Sequence, residues 1–380
     1  MRATAIKLAR RLFGVLDPAL LTITGLLFLY ALIVLGSATH DFPVRFQAHL
    51  VNVVVALLFM LAVAQIPPQK LMRLAPPAYL LGLALLIAVA LFGEVSKGAR
   101  RWLDLGLTRV QPSEMMKIAV PMMLAWYFQR REGVLRVRDF LFAAAIMGLP
   151  LALIMRQPDL GTAVLVLAAG FFVLFFAGLS WKLIIPASLV GVAGIAALIA
   201  FGGPACESDA PWPGLKDYQK HRICMLLDPS TDPLGRGFHT IQATIAVGSG
   251  GVLGKGWLKG TQTHLEFIPE RHTDFIFAVL AEEFGLVGIV VLLGLYLALI
   301  GRGFAITLNA SSLFARLLAG SITMMYFTYA FVNMGMVTGI LPVVGVPLPF
   351  LSYGGTALVT LCLGLGMLMS IQRHRALLPS

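Results

Sequence analysis

Charge is what this sequence has least of. Only 12% of its 380 residues are Asp, Glu, Lys or Arg, about half the share of a soluble globular domain. Apolar residues make up 58%, and the mean hydropathy is +0.87. That composition excludes a water-soluble fold and places the chain in lipid. Cysteine is scarce too: Cys206, Cys224 and Cys362 are the full set. None of them is spaced from another Cys or from a His as in a zinc site. Long polar stretches are also missing, so no separate soluble domain fits between the apolar runs.

Those runs are the dominant feature. A helix needs roughly 20 apolar residues to cross about 30 Å of hydrocarbon. Ten spans are predicted, at 18–37, 47–65, 75–93, 112–129, 139–155, 159–177, 183–202, 274–299, 313–336 and 347–371. The expected fold is one all-α integral membrane domain, 1–380, with a single long external loop, 203–273, between the seventh and eighth spans. Arg2, Lys7, Arg10 and Arg11 precede the first span as in a secretory signal. The apolar stretch is too long for one and nine more follow, so it reads as an uncleaved first helix.

Ten spans put both termini on one face. Segments on that face hold 15 Lys or Arg against three acids, Asp17, Glu132 and Asp139; the other face is nearly neutral. The positive-inside rule makes the basic face cytoplasmic and gives no cause to invoke nucleic acid. Lys97, Arg100, Arg101, Arg109 and Lys117 run against that rule, clustering in and just after one external segment. Such a cluster suggests a bound anion, a lipid phosphate or pyrophosphate. Headgroup contacts or acidic partners in the loops are the plainer reading.

The external loop is long enough to be functional. It opens with Gly and Pro and ends in a glycine-rich run, Gly248 to Gly260, interleaved with apolar residues such as Trp257 and Phe267. This pattern predicts a segment packed back onto the membrane domain. GSGGVLGKG is not a Walker A loop, because no Ser or Thr follows Lys255 and no strand precedes it. Cys206 and Cys224 both lie in this loop, where an oxidising compartment permits a disulfide, and they are expected to form one. Cys362 falls mid-helix.

Four of the even-numbered spans begin with a proline-containing polar phrase: QPSE at 111–114, QPDLG at 157–161, PERHTD at 269–274 and PLPFLSYGG at 347–355. Helix capping accounts for a proline and a carboxylate at each start. It does not account for Glu114 with Lys117, Asp159 and Asp274 all falling at one membrane depth, where converging helix ends would build a polar cavity. Glu114 and Lys117, spaced i, i+3, share a helix face and can pair. An ionisable residue such as Lys117 inside a span is a functional candidate. A carboxylate can serve as general base toward a sugar hydroxyl, and Lys or Arg can stabilise a departing pyrophosphate. Asp274, Glu114, Lys117 and Asp159 are the candidate catalytic group. Arg100, Arg101 and Arg109, with Lys117, are the candidate phosphate ligands, and Arg156 is a further candidate substrate-binding residue. Glu282 and Glu283, deeper in the eighth span, are balanced between structural and functional roles.

These phrases, together with GARRWL at 98–103, RQPDLGTA at 156–163, GSGGVLGKGW at 248–257 and FIPERHTDFIFAVLAEEFGLVG at 267–288, closely resemble the SEDS family (shape, elongation, division and sporulation). The likeness is to its elongation branch more than to its division branch. The resemblance implies a peptidoglycan glycosyltransferase that polymerises lipid II at the outer, periplasmic side of the bacterial inner membrane and releases undecaprenyl pyrophosphate. It implies Asp274 as the essential aspartate. It also places Ser249, Lys255, Glu270, His272 and Ser352 among the candidate substrate-binding residues. No cofactor is required by the residues; a divalent cation, Mg or Mn, is the one the resemblance admits. A class B penicillin-binding protein, a transpeptidase, and the elongation machinery are the implied partners. A lipid II flippase is the main alternative, although transporters tend to site their ligand at the midplane and to carry repeats. A scaffold for a transpeptidase is the other, and it leaves Lys117 and Asp159 without a purpose.

Overall fold

The computed structural model describes residues 14, 16–96, 99–104, 109–131, 135–207, 217–228, 236–265, 267–268 and 270–375. Arg2, Lys7, Arg10, Arg11, Lys97 and the side chain of Arg109 lie outside that description.

Ten long helices form the body. They are α1 (Pro18–Ala38), α2 (Pro43–Ala64), α3 (Pro68–Phe92), α4 (Pro112–Arg130), α5 (Val137–Arg156), α6 (Leu160–Phe176) and α7 (Trp181–Glu207), then, after the long loop, α11 (Ile276–Leu308), α12 (Leu313–Val337) and α13 (Gly355–Arg373). The loop contributes α8 (Asp217–Leu227), α9 (Arg236–Ser249) and the single turn α10 (Thr261–His264). Proline opens each of α1 to α4, in the first turn, where its missing N–H is no loss. Eight of the ten are long and apolar enough to span lipid unaided. Of the other two, α6 has 17 residues, and Glu114, Lys117, Gln129 and Arg130 dilute the apolar text of α4. The chain is therefore a multi-pass membrane protein.

Side-chain bonds tie the helix ends into two faces. On the face of the termini, Arg302 near the end of α11 reaches Asp17 at the start of α1 at 2.5 Å. There too, Ser370 of α13 donates to the Ile66 carbonyl between α2 and α3, and the Phe314 amide of α12 donates to Gln129 of α4 at 2.8 Å. On the opposite face, Arg271 before α11 pairs with Asp41 after α1 at 2.5 Å, and Gln111 before α4 donates to Asp159 before α6 at 3.0 Å. Between these faces α12 is the most buried helix, while α7 buries nothing along its apolar window and lies at the periphery. Helices α2 and α13 approach closely because Gly366 has no side chain: a Cβ there would stand 2.5 Å from the Met60 carbonyl.

The all-α expectation needs one amendment. The external segment after α3 forms a small antiparallel sheet of β1 (Glu94–Ser96), β2 (Ala99–Asp104) and β3 (Arg109–Val110), with Leu103 opposite Val110. Several predicted boundaries also move, the eighth helix running on to Leu308 in place of 299. The third helix begins at Pro68, and not near 75. The tenth begins at Gly355, and not at 347, because Pro342, Pro347 and Pro349 deny amide donors to a helix and push the residues before them out of the helical region. Residues 342–354 instead run as an irregular strap beneath the opposite face.

Candidate active site

The strap explains how Asp274 is placed. Helix α11 starts at Ile276, and its N-cap is Phe275 with no side-chain cap bond, so the aspartate is set by contacts to its backbone. Asn333 of α12 donates to the main-chain carbonyls of Asp274, at 2.8 Å, and Val346, at 2.7 Å. Ser352 donates to the Thr273 carbonyl at 2.6 Å and accepts from the Leu348 amide at 2.7 Å. The Tyr353 amide donates to the His272 carbonyl at 2.8 Å. Three successive residues are thus clamped, and Oδ2 of Asp274 lies against Gly345, where an added Cβ would approach to 3.3 Å.

Across from it, α4 carries a buried ion pair. Lys117, 1% exposed, donates to Glu114 at 2.5 Å and to the Tyr329 hydroxyl of α12 at 2.7 Å. A desolvated ammonium needs such partners, because an unpaired charge in the interior is strongly destabilising. Asp159 caps α6, accepting from the Thr162 amide at 3.2 Å, while its second oxygen takes the Gln111 amide group. Arg101 of β2 is anchored through Nη2 to the Pro158 carbonyl at 2.7 Å.

Asp274, Glu114, Lys117, Asp159, Arg101 and Glu270 all line one polar cavity of ≈ 640 Å³. The expected convergence of the even-numbered helix ends is what the fold contains. At Gln111, Glu114, Gly355 and Thr356 the cavity meets an apolar groove of ≈ 870 Å³ between α2, α3, α4 and α13. The groove runs from Val110 to Ile66 and Met367 near the opposite end of the helices.

The other candidates lie elsewhere. Arg100 and Arg156 are exposed and line neither the cavity nor the groove. Ser249 donates to the Ala246 carbonyl of its own helix. Lys255 pairs with Glu282 at 2.8 Å. His272 packs on Tyr353 and bonds Arg45 through Nε2 at 2.9 Å, and Ser352 is the clamp described above. Glu282 is fully buried and accepts from Lys255, Thr261, Thr263 and two backbone amides. Its neighbour Glu283 accepts from Ser37 at 2.5 Å. The glycine-rich run packs back onto the membrane domain as expected. The amides of Lys255 and Gly256 bond the carbonyls of Glu282 and Glu283, where α11 breaks at Gly285, φ 60°. A Cβ on Gly250 or Gly254 would strike the α11 backbone, which is the reason for glycine there. Both glutamates are thereby assigned to structure. Sequence reasoning missed Tyr329 and Asn333; the signal was there in the ninth span, whose apolar window is the least hydrophobic of the eight.

Among the described residues no three His, Cys, Asp or Glu side chains converge as a metal cage. The described donor set therefore does not by itself form a protein-held ion site.

Cys206 of α7 and Cys224 of α8 form a disulfide, 18 residues apart in sequence.

Comparison with known proteins agrees with this architecture. The sequence matches the FtsW/RodA/SpoVE family, described as cell cycle protein, over residues 12–377. It is 49% identical to the peptidoglycan glycosyltransferase MrdB of Escherichia coli strain K12 over 363 residues, covering 96% of this chain and 95% of that one. A solved peptidoglycan synthase complex that coordinates polymerisation and crosslinking contains a chain of TM-score 0.78 and 37% identity, covering 95% of this chain and 98% of that one. The crystal structure of the rod shape determining protein RodA of Thermus thermophilus superposes with TM-score 0.70 at 31% identity, covering 94% and 97%. Matched over nearly its whole length, with its motifs folded into one cavity, the chain belongs to the FtsW/RodA/SpoVE (SEDS) family.

Proposed function

We propose that the protein is a peptidoglycan glycosyltransferase that polymerises lipid II into glycan strands during cell elongation, with Asp274 as general base. The observation that carries this reading is the setting of Asp274. Its backbone is clamped and its carboxylate borders a polar cavity continuous with an apolar groove. A polyprenyl tail has every reason to stay in such a groove, since its hydrocarbon gains nothing by leaving an apolar environment. The sugar and pyrophosphate then reach the polar cavity.

In the reaction, the 4-hydroxyl of the acceptor N-acetylglucosamine attacks the anomeric carbon of the lipid-linked donor. Asp274 takes the hydroxyl proton as the O4–C1 bond forms. The C1–O bond to the pyrophosphate breaks on the opposite side, so configuration inverts and undecaprenyl pyrophosphate departs with the electron pair. Arg101 and Lys117 line the cavity as the nearest cations for the developing negative charge, the interaction worth most in a dry site. Glu114 and Tyr329 hold Lys117 in place.

The basic face is read as cytoplasmic and the cavity as opening toward the periplasm. The likeness to a chain of a synthase complex supports a class B penicillin-binding protein as partner. Purified protein in detergent, given lipid II alone, is expected to make glycan polymer. A protein that moves lipid II between vesicle leaflets but forms no polymer, with or without a transpeptidase partner, would replace this reading with the flippase.

A further inference from the structure

Behind Arg101 and Asp274 lies a second chamber of ≈ 400 Å³, which shares those two residues and Gly345 with the first. Its inner wall is the strap from Leu341 and its outer wall is the long loop. His221 and Arg222 of α8 and His239 of α9 face Arg101 and Asp274 across it. Two guanidinium groups and two imidazoles around one carboxylate make an anion-binding box, and Arg suits phosphate oxygens because it donates in pairs. Nε of Arg101 and Nδ1 of His239 are both buried, with no hydrogen-bond partner among the described residues. Unsatisfied buried nitrogens are costly, and both of these belong to residues that line the chamber.

The outer wall is held by the disulfide. On α8, His221, Arg222, Met225 and Leu226 recur at i, i+1, i+4 and i+5, which is one helix face, and all four line the chamber. Cys224 and Leu227 fall on the other side. There Cys224 is bonded to Cys206 in the last turn of α7, and Leu227 lies over Gly202 of α7, where a Cβ would collide with it.

Resting on the glycosyltransferase reading, we propose that this chamber is a second pyrophosphate subsite, built by α8 and α9 and positioned by the Cys206–Cys224 disulfide. Transfer between two carrier-linked sugars requires a site on each side of the base. The first cavity, joined to the apolar groove, holds one lipid-linked sugar; the second chamber holds the pyrophosphate of the other. Both reactants carry the same pyrophosphate ester, so the chemistry is common to donor and acceptor.

The test uses the full chain with its disulfide intact, the variants Arg222→Gln, Arg222→Lys and Cys224→Ser, and unfolding temperature as the folding control. Inorganic pyrophosphate, titrated calorimetrically, is expected to bind the parent and to bind Arg222→Gln between about tenfold and a hundredfold more weakly. Arg222→Lys should recover part of the loss, and Cys224→Ser should reproduce it. Equal affinity of parent and Arg222→Gln, or no binding by the parent, overturns the subsite. Parent-like affinity in Cys224→Ser overturns the role of the disulfide. In polymerisation, Arg222→Gln should raise KM for one substrate only. A rise against preformed lipid-linked glycan assigns the chamber to the donor, and a rise against lipid II assigns it to the acceptor. If neither KM moves while the parent polymerises, the subsite falls and the glycosyltransferase reading stands. Arg222-dependent pyrophosphate binding by a parent that never polymerises does the opposite: the anion site stands and the glycosyltransferase reading falls.

Discussion

Asp159 and Asp274 stand at the entrances of α6 and α11, on the same face, each after a proline-containing phrase, and the fold treats them differently. Asp159 is at the N-cap of its helix, with one oxygen on the Thr162 amide and the other on Gln111. Asp274 precedes the N-cap of its helix by one residue; its carbonyl is clamped by Asn333 while its carboxylate borders two chambers. The same local sequence grammar thus yields a carboxylate that caps its helix at one entrance and one that stands outside the cap at the other. The difference is made by Asn333 and by Ser352 and Tyr353 of the strap, which bond the carbonyls of 272–274, whereas at the α6 entrance the strap only packs on Gly161.

The largest effect expected from breaking this contrast is at Asp274. Asn keeps the shape and cannot take a proton, so Asp274→Asn should slow glycan polymerisation by about 10² to 10⁴ with thermal stability unchanged. Asp159→Asn, where Asn is an equally good cap, should leave polymerisation far closer to the parent. Equal losses of rate in the two variants would erase the distinction. Next comes the ion pair that faces both aspartates. Lys117→Met leaves Glu114 buried without its cation and should destabilise the protein by about 3 to 5 kcal/mol. Adding Glu114→Gln should recover most of that in thermal unfolding while activity stays low. Smaller again is the cap itself: Asp159→Ala should lower stability by about 1 kcal/mol, a cost that Asp159→Asn avoids. No stability difference between the two would mean that Asp159 is not used as a cap.

Much of this is legible in the sequence because lipid imposes a simple code. Ten apolar runs correspond to ten helices, and Glu114, Lys117, Asp159 and Asp274 meet as their shared depth implies. What escapes is set by non-local packing. Hydropathy does not show that PLPFLSYGG is a strap, since its composition suits a helix end as well. Nor does it show that Ser352 and Asn333 spend their polar groups on the carbonyls beside Asp274. The glycine run reads as packed and non-nucleotide, yet its partner, the Gly285 break in α11, is a contact between distant backbones that no local pattern announces. Arg100, Arg101 and Arg109 look equivalent as charges. Of Arg100 and Arg101, strand alternation turns only Arg101 inward.

A third entrance sharpens the comparison through pH. Asp17 at α1 combines the two devices: Oδ1 accepts from the Leu20 amide at 2.8 Å, and the carboxylate pairs with Arg302 at 2.5 Å on the face of the termini. Burial alone would raise the pKa of this carboxyl. The Arg302 guanidinium and the Leu20 amide outweigh burial and hold the group below its usual value of 3.8. A depressed carboxylate contributes stability that is fully present above the unfolded value and is lost as pH falls through the folded one. Acidification from pH 5 toward pH 3 should therefore cost the parent a small increment, about 2 °C or less in Tm. In Asp17→Asn the cap is kept and the titration removed, so this increment should appear as a gap in Tm between parent and variant that narrows as pH falls from 5 toward 3. Parallel curves for parent and variant across that range would show that the Arg302 pair adds nothing to the cap, leaving Asp17 and Asp159 as the same device.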